Sequence, residues 1–224
     1  MSSFINYLNP SFSLEVRLGK VFFDEGPIEQ KLRQEIEIFL NLLKVRDNAT
    51  YEHSIRVGLL ATSIGRFMHL NPRPLLFAGL LHDIGKAQTN PATLKKTEGW
   101  TEADSKEVEG HVMDGYRLIR GSFDFSAEII LWHHRFQPRC YPAEMPKLLH
   151  NYSEGTKVMI ALFGRLLSLA DQFDALHRVN DRFTAEKVSV GEWVKNCMLE
   201  HNPDMKVLIE ELYKAKIFTN EVFD

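Results

Sequence analysis

Apolar residues recur along this chain mostly at helical spacing. Over residues 27–46, Ile28, Leu32, Ile36, Phe39, Leu40 and Leu43 repeat every three or four positions behind a proline placed where helices start, which predicts an amphipathic helix. Asn48, Thr50 and Glu52 signal a second helix running to about Leu70, with His53, Val57, Leu60 and Ile64 on one face. A histidine on that stripe points inward. Beyond Asn71-Pro72-Arg73-Pro74, residues 75–84 are nearly all apolar, the pattern of a short central helix carrying His82 and Asp83 at its C-terminal end before Gly85. Residues 88–100 hold turn formers without a period and read as an ordered loop.

Thr101, with Glu102 and Asp104, starts a further helix that aligns Val108, His111, Val112, Gly115 and Leu118 along one side. Ser126 is the expected cap of a helix passing through Ile129, Ile130 and Trp132 to His133-His134, and Gln137-Pro138-Arg139-Cys140-Tyr141-Pro142 must then be irregular. Residues 157–178 form a long, strongly apolar helix with Leu167, Asp171 and Asp174 at helical spacing, which puts an acid on a buried stripe. Thr184 and Asn202-Pro203-Asp204 cap two last helices, reaching about Leu199 and Phe218. Near the N-terminus, alternation around Phe12, Leu14, Val16 and Leu18 followed by Val21-Phe22-Phe23 predicts a strand or extended arm. The expectation is an all-α domain: an N-terminal arm over 1–26, a main helical body over 27–183, and C-terminal helices over 184–224 packed on the same body.

Composition changes this picture little. A chain of 224 residues with 44% hydrophobic and 25% charged residues is an ordinary globular domain with a substantial core. A net charge of −3 gives no basic surplus for duplex nucleic acid or an anionic membrane. Two cysteines, Cys140 and Cys197, are too few for a disulfide framework and fit a reducing cytoplasm. Residues 1–10 lack a basic leader, and the apolar runs at 74–81 and 158–164 are too short to span a bilayer, so neither export nor a membrane partner is expected.

The chemistry lies in what ends those apolar stripes. His53, His82, Asp83, His111, His133, His134 and Asp171 are drawn from separate helices and converge as seven candidate metal ligands. A single inward histidine is usually a hydrogen-bonded core residue. Five histidines and two aspartates together would each need a buried partner, unless a shared cation neutralises and orients them. Imidazole with carboxylate suits borderline divalent metals, and a carboxylate can bridge two of them. His133 and His134 cannot point the same way in mid-helix, but both can turn to one centre at a frayed helix end. Lys86, three residues beyond Asp83, is placed for phosphate contact rather than as a mere helix-end cation. His69, His150, His177 and His201 fit no converging pattern, and Cys140 has no partner that would make it a nucleophile.

Taken in order, His53-Ser54-Ile55-Arg56-Val57, Leu81-His82-Asp83-Ile84-Gly85-Lys86, His111-x-x-x-Gly115, His133-His134 and Leu169-Ala170-Asp171-Gln172-Phe173-Asp174-Ala175-Leu176 resemble the HD superfamily of metal-dependent phosphohydrolases. The resemblance is greatest to its HD-GYP branch, the bacterial cyclic di-GMP phosphodiesterases. It implies a helical bundle around two divalent ions, Fe or Mn before Zn, Ni, Co or Mg. One ion would be held by His53, His82, Asp83 and Asp171, the other by Asp83, His111, His133 and His134, with Asp83 as the bridge. Some relatives hold a third ion through a glutamate where this chain has Ala49, so two are expected. Where that branch has a glutamate, Asp-Gly and Gly-Tyr-Pro after its paired histidines, this chain reads Arg135-Phe136-Gln137-Pro138-Arg139-Cys140-Tyr141-Pro142.

The implied reaction is hydrolysis of a phosphodiester by a hydroxide shared between the two ions, with Asp83 and Lys86 as the catalytic residues. Lys86, Arg135, Arg139, Tyr141 and Arg182 are expected to contact substrate, the arginines gripping phosphate and Tyr141 facing a base. A cyclic dinucleotide such as cyclic di-GMP is the leading substrate. The alternatives are another nucleotide or small phosphate ester, and a weakly active, metal-stabilised signalling or binding module.

Overall fold

The computed structural model describes residues 10–24, 30–137, 139–177 and 191–219. Helix α1 (Pro10–Asp24) comes first, then α2 (Gln30–Arg46) and α3 (Asn48–Phe67), the last begun by Asp47, whose carboxylate accepts the Thr50 amide. α3 buries both flanks of its surface, because α1, α2, α4 (Arg73–Leu81) and α9 (Glu154–Leu176) all pack on it. Against α4 the contact is backbone to backbone. A Cβ on Gly79 would lie 2.6 Å from the Gly58 Cα, so only glycine lets these two helices meet. That approach holds the end of α4, where His82 and Asp83 sit, close to His53 on α3.

After α4 the chain turns through His82 and Asp83 into a 3₁₀ helix, Ile84–Gln88, and a short α5 (Pro91–Leu94) capped by Asn90. The segment expected as loop thus contains one helical turn. Thr101 and Asp104 form a reciprocal capping box at the start of α6 (Glu102–Glu109). The single helix expected from Thr101 is in fact two, α6 and α7 (His111–Ile119), interrupted at Gly110, where the lowest helix propensity after proline falls. α8 (Asp124–Ile130) starts two residues before Ser126, which lies buried inside it rather than capping it. No side chain caps α8; its first-turn acid, Asp124, instead accepts the Gly121 amide at 2.5 Å and holds the turn that leads into the helix.

α9 carries most of the second half of the core. α10 (Gly191–His201) packs against it and α11 (Lys206–Lys214) against α10, while Arg165 of α9 reaches both Asp204 carboxylate oxygens at 2.9 and 2.7 Å and Asn202 Oδ1 at 2.9 Å. Phe173 and Phe218 stack at 4.3 Å to complete that contact. The fold is all-α, and no strand occurs among the described residues. The extended arm is corrected: α1 buries Leu14, Leu18 and Phe22 at four-residue spacing and leaves Val16 half exposed. Leu14 and Leu18 satisfy either period, and the helix wins because it pairs its own backbone groups. Among the described residues no helix is long and apolar enough to cross a membrane. The start expected at Thr184 and the end expected at Arg178 lie outside the described residues.

Candidate metal centre

Five elements deliver the seven candidate ligands. α3 supplies His53, the turn after α4 supplies His82 and Asp83, the first residue of α7 is His111, the turn after α8 holds His133 and His134, and α9 supplies Asp171. A close approach makes the set possible. A Cβ on Gly85 would lie 1.9 Å from the His111 carbonyl oxygen, so the glycine after His82-Asp83-Ile84 is what lets α7 bring His111 to Asp83.

Three of the histidines use one local device. Each turns its Nδ1 back to the carbonyl three residues earlier: His82 to Gly79 at 2.8 Å, His111 to Val108 at 2.5 Å and His133 to Ile130 at 2.5 Å. Carbonyls only accept, so each Nδ1 carries the proton and, in the neutral ring, each Nε2 is left with a lone pair. His53 Nδ1 instead bonds Asp174 Oδ2 at 2.6 Å, and Arg56 grips the same carboxylate at 2.6 and 3.2 Å.

The Nε2 atoms then face one another. His53 and His82 stand 3.2 Å apart and His111 and His133 3.3 Å, distances at which two lone pairs repel unless a cation lies against both pairs. Asp83 reaches both groups: Oδ2 lies 3.4 Å from His53 and from His82, and Oδ1 lies 3.2 Å from His111. The His111 contact is not a hydrogen bond, since that ring's proton is already given to Val108, and Asp83 Oδ1 is buried without a partner. Asp171 Oδ1 is 3.1 Å from His53 and 3.8 Å from His82. Three overlapping triads, His53-His82-Asp83, His82-His133-Asp171 and His111-His133-His134, each bring ligand atoms within 4.8 Å of one another. Orphaned lone pairs and an orphaned carboxylate oxygen in one buried cluster fit divalent metal.

Electrostatics agree. Burial pushes His82 and His133 below the usual imidazole range and His134 down to about 3, which keeps them neutral and ready to ligate. For Asp83 and Asp171, burial pushes upward but is outweighed, by Lys86 and the imidazoles at Asp83 and by His53 and the other imidazoles at Asp171, and both stay ionised. Lys86 Nζ lies 2.6 Å from Asp83 Oδ2, and its side chain is partly exposed.

The expected substrate contacts fall differently. Arg135 donates to the Pro142 carbonyl at 2.7 Å and Arg139 pairs with Glu102 and with Glu109, at 2.9 Å for the latter. Tyr141 does border the centre, stacked on His134 at 4.4 Å, so one face of its ring is taken. Arg182 lies outside the described residues. Of the histidines set aside, His69 adopts φ of 55°, His150 pairs with Asp124, His177 bonds the Phe173 carbonyl, and His201 meets Gln172. The residue that sequence reasoning passed over is Asp174. Its signal was present: Asp171 and Asp174, like His53 and Arg56, are three apart on one helix, so both pairs meet across α3 and α9.

The HD domain family matches residues 50–176, a stretch that takes in all seven candidate ligands. The chain belongs to this family. It is 28% identical over 183 residues to a cyclic di-GMP phosphodiesterase of Thermotoga maritima, covering 78% of this chain and 46% of that protein. It is 31% identical over 142 residues to the cyclic di-GMP phosphodiesterase PA4108 of Pseudomonas aeruginosa, covering 60% of this chain and 32% of that one. The chain thus spans less than half the length of these curated relatives. In fold it resembles the HD domain of the L. monocytogenes phosphodiesterase PgpH, with a TM-score of 0.53 at 17% identity over 83% of this chain and 95% of that chain.

Proposed function

We propose that this HD domain is a metal-dependent phosphodiesterase whose substrate is a cyclic dinucleotide, with cyclic di-GMP the first candidate. One observation carries the reading: imidazole Nε2 atoms in two facing pairs, spanned by the two oxygens of Asp83. His53, His82, Asp83 and Asp171 would hold one divalent ion, and Asp83, His111, His133 and His134 a second. Such ions, when bound, supply a water of lowered pKa and neutralise charge on phosphate oxygens. The rest is the chain's own work. Asp83 spans the two groups, and the Nδ1 bonds fix the rings so that no reorganisation is needed when substrate arrives. Lys86 turns from Asp83 toward the non-bridging phosphate oxygens as negative charge grows there. Tyr141, at the border of the centre, is the aromatic group for a base. The relatives named as cyclic di-GMP phosphodiesterases support this substrate.

A second reading, hydrolysis of another nucleotide or small phosphate ester, is favoured by the engagement of Arg135 and Arg139 within the protein. The test is turnover of Mn²⁺- or Fe²⁺-loaded protein against cyclic dinucleotides, mononucleotides and phosphate monoesters. Linear dinucleotide from a cyclic one is expected. Rapid dephosphorylation of a mononucleotide with cyclic dinucleotides untouched would hand the site to the second reading, and no turnover of any compound would reduce it to a binding module.

A further inference from the structure

The two groups of ligands are built unequally. His53 is fixed before any metal arrives, because Asp174 accepts from His53 Nδ1 and from Arg56 at once and so ties α3 to α9 three residues from Asp171. Asp174 is buried and its partner's guanidinium is largely covered, which makes this a rigid, charge-assisted clamp. A carboxylate behind an imidazole also makes that ring a stronger donor than a carbonyl does. This group further counts two carboxylates, Asp83 and Asp171, whereas the other shares only Asp83.

The second group is looser. His111 and His133 are backed by carbonyls alone. His134 makes no hydrogen bond to any described residue; its Nδ1 is buried without a partner, and the ring is held by stacking on Tyr141 at 4.4 Å and lying against His133 at 4.0 Å. A ring positioned only by packing has to be ordered when a ligand binds, and that ordering weakens affinity.

We propose that the centre fills in a fixed order, the His53-His82-Asp171 group first and the His111-His133-His134 group second, and that Asp174 with Arg56 is the positioning pair that sets the difference. This rests on the two-ion reading above. Its consequence is regulatory: when divalent metal is scarce the protein holds one ion, and the second group gates the site according to supply.

Metal-free protein titrated with Mn²⁺, followed by calorimetry and by electron paramagnetic resonance, tests the order. Two steps are expected, with dissociation constants at least about tenfold apart, the first equivalent giving an isolated Mn²⁺ spectrum and the second a spin-coupled one. Asp174→Asn should weaken the first step by about 10–100-fold, and His134→Ala should spare the first step and weaken the second. Should Asp174→Asn fail to fold by circular dichroism, Arg56→Lys carries the test, since it keeps the charge, loses the two-pronged grip and should weaken the first step several-fold. Two equal steps in the unmodified protein, or a first step untouched by both Asp174→Asn and Arg56→Lys, would overturn the proposal. Binding of one equivalent at every Mn²⁺ concentration would instead sink the two-ion reading itself.

Discussion

The histidine cluster and the 135–142 loop touch through His134 and Tyr141, yet they differ in which polar atoms the chain has left over. In the cluster the protein satisfies the outer nitrogen of four rings and turns the inner nitrogens toward one another, where only a cation can satisfy them. In the loop it satisfies its own cations: Arg135 holds the Pro142 carbonyl and Arg139 sits between Glu102 and Glu109. A polar group whose partner is already in the chain serves the fold, whereas a buried one facing its own kind awaits a ligand. As sequence, both regions read as binding sites. Only the partners tell them apart.

The largest effect should come from Asp83, the residue that joins the two groups of ligands. Asp83→Asn keeps the shape, removes the charge, and should lower turnover by about 10³-fold while reducing bound metal per chain. A variant that retained a tenth of the activity with both ions bound would show that the cluster does not depend on a spanning carboxylate.

Lys86 ranks next because it stands between the regions in kind: a cation of the centre that already has a partner, Asp83, at 2.6 Å. If its role is phosphate charge, Lys86→Ala should lower kcat by about 10²-fold and leave metal stoichiometry unchanged. If it merely balances Asp83, metal analysis and kcat should both stay near the unmodified values, and the lysine would join the loop arginines as a group spent on the fold.

How much of this was legible in the sequence follows the same division. The seven candidate ligands could be singled out because each ends an apolar helical stripe, and stripes are periodic, so His53 and Asp171 point inward on α3 and α9 as their neighbours require. The helix-end placement of His133 and His134 followed from the impossibility of pointing adjacent residues one way in mid-helix. The partners of Arg135 and Arg139 could not be found, since a loop has no period and Glu102 is 37 residues from Arg139 in the chain. Asp174 was missed because a second acid on the same stripe reads as a duplicate until Arg56 is seen across from it. The helix at the N-terminus was misread because Leu14 and Leu18 fit two periods, and Gly85 because a close approach leaves no trace except the glycine itself.

A smaller effect, on stability, probes the cluster without its metal. His82, His133 and His134 are held below the ordinary imidazole value by burial, so the folded chain keeps them neutral while the unfolded chain takes up protons as pH falls through about 6.5. Their contribution is therefore fully present above that value and is lost progressively on acidification, for His134 down to about 3. The depressed carboxylates Asp83, Asp171 and Asp174 act only below the ordinary carboxylate range. Chelated protein should accordingly lose about 5 °C or more of thermal midpoint between pH 7 and pH 5, read by circular dichroism melts. A midpoint that stayed level over that window would mean that the rings are not buried neutral.

The smallest expected effect is at Arg139, and it bears most directly on the contrast between the two regions. Its guanidinium is half exposed and lies between two acids, one of them more exposed than itself, so solvent screening leaves the pairs little weight in the fold. Substrate phosphate would have to displace both carboxylates to reach it, exchanging two charge-assisted contacts for one. Arg139→Ala should therefore change KM by less than about threefold, leave kcat alone, and shift the thermal midpoint by no more than about 4 °C. A tenfold rise in KM at constant kcat would erase the division between the regions, because it would show that Glu102 and Glu109 only park a cation that substrate recruits. Arg135 then becomes the decisive second site: its bond to the Pro142 carbonyl leaves no rival anion to displace, and Arg135→Ala should alter KM only through the placement of Tyr141 over His134.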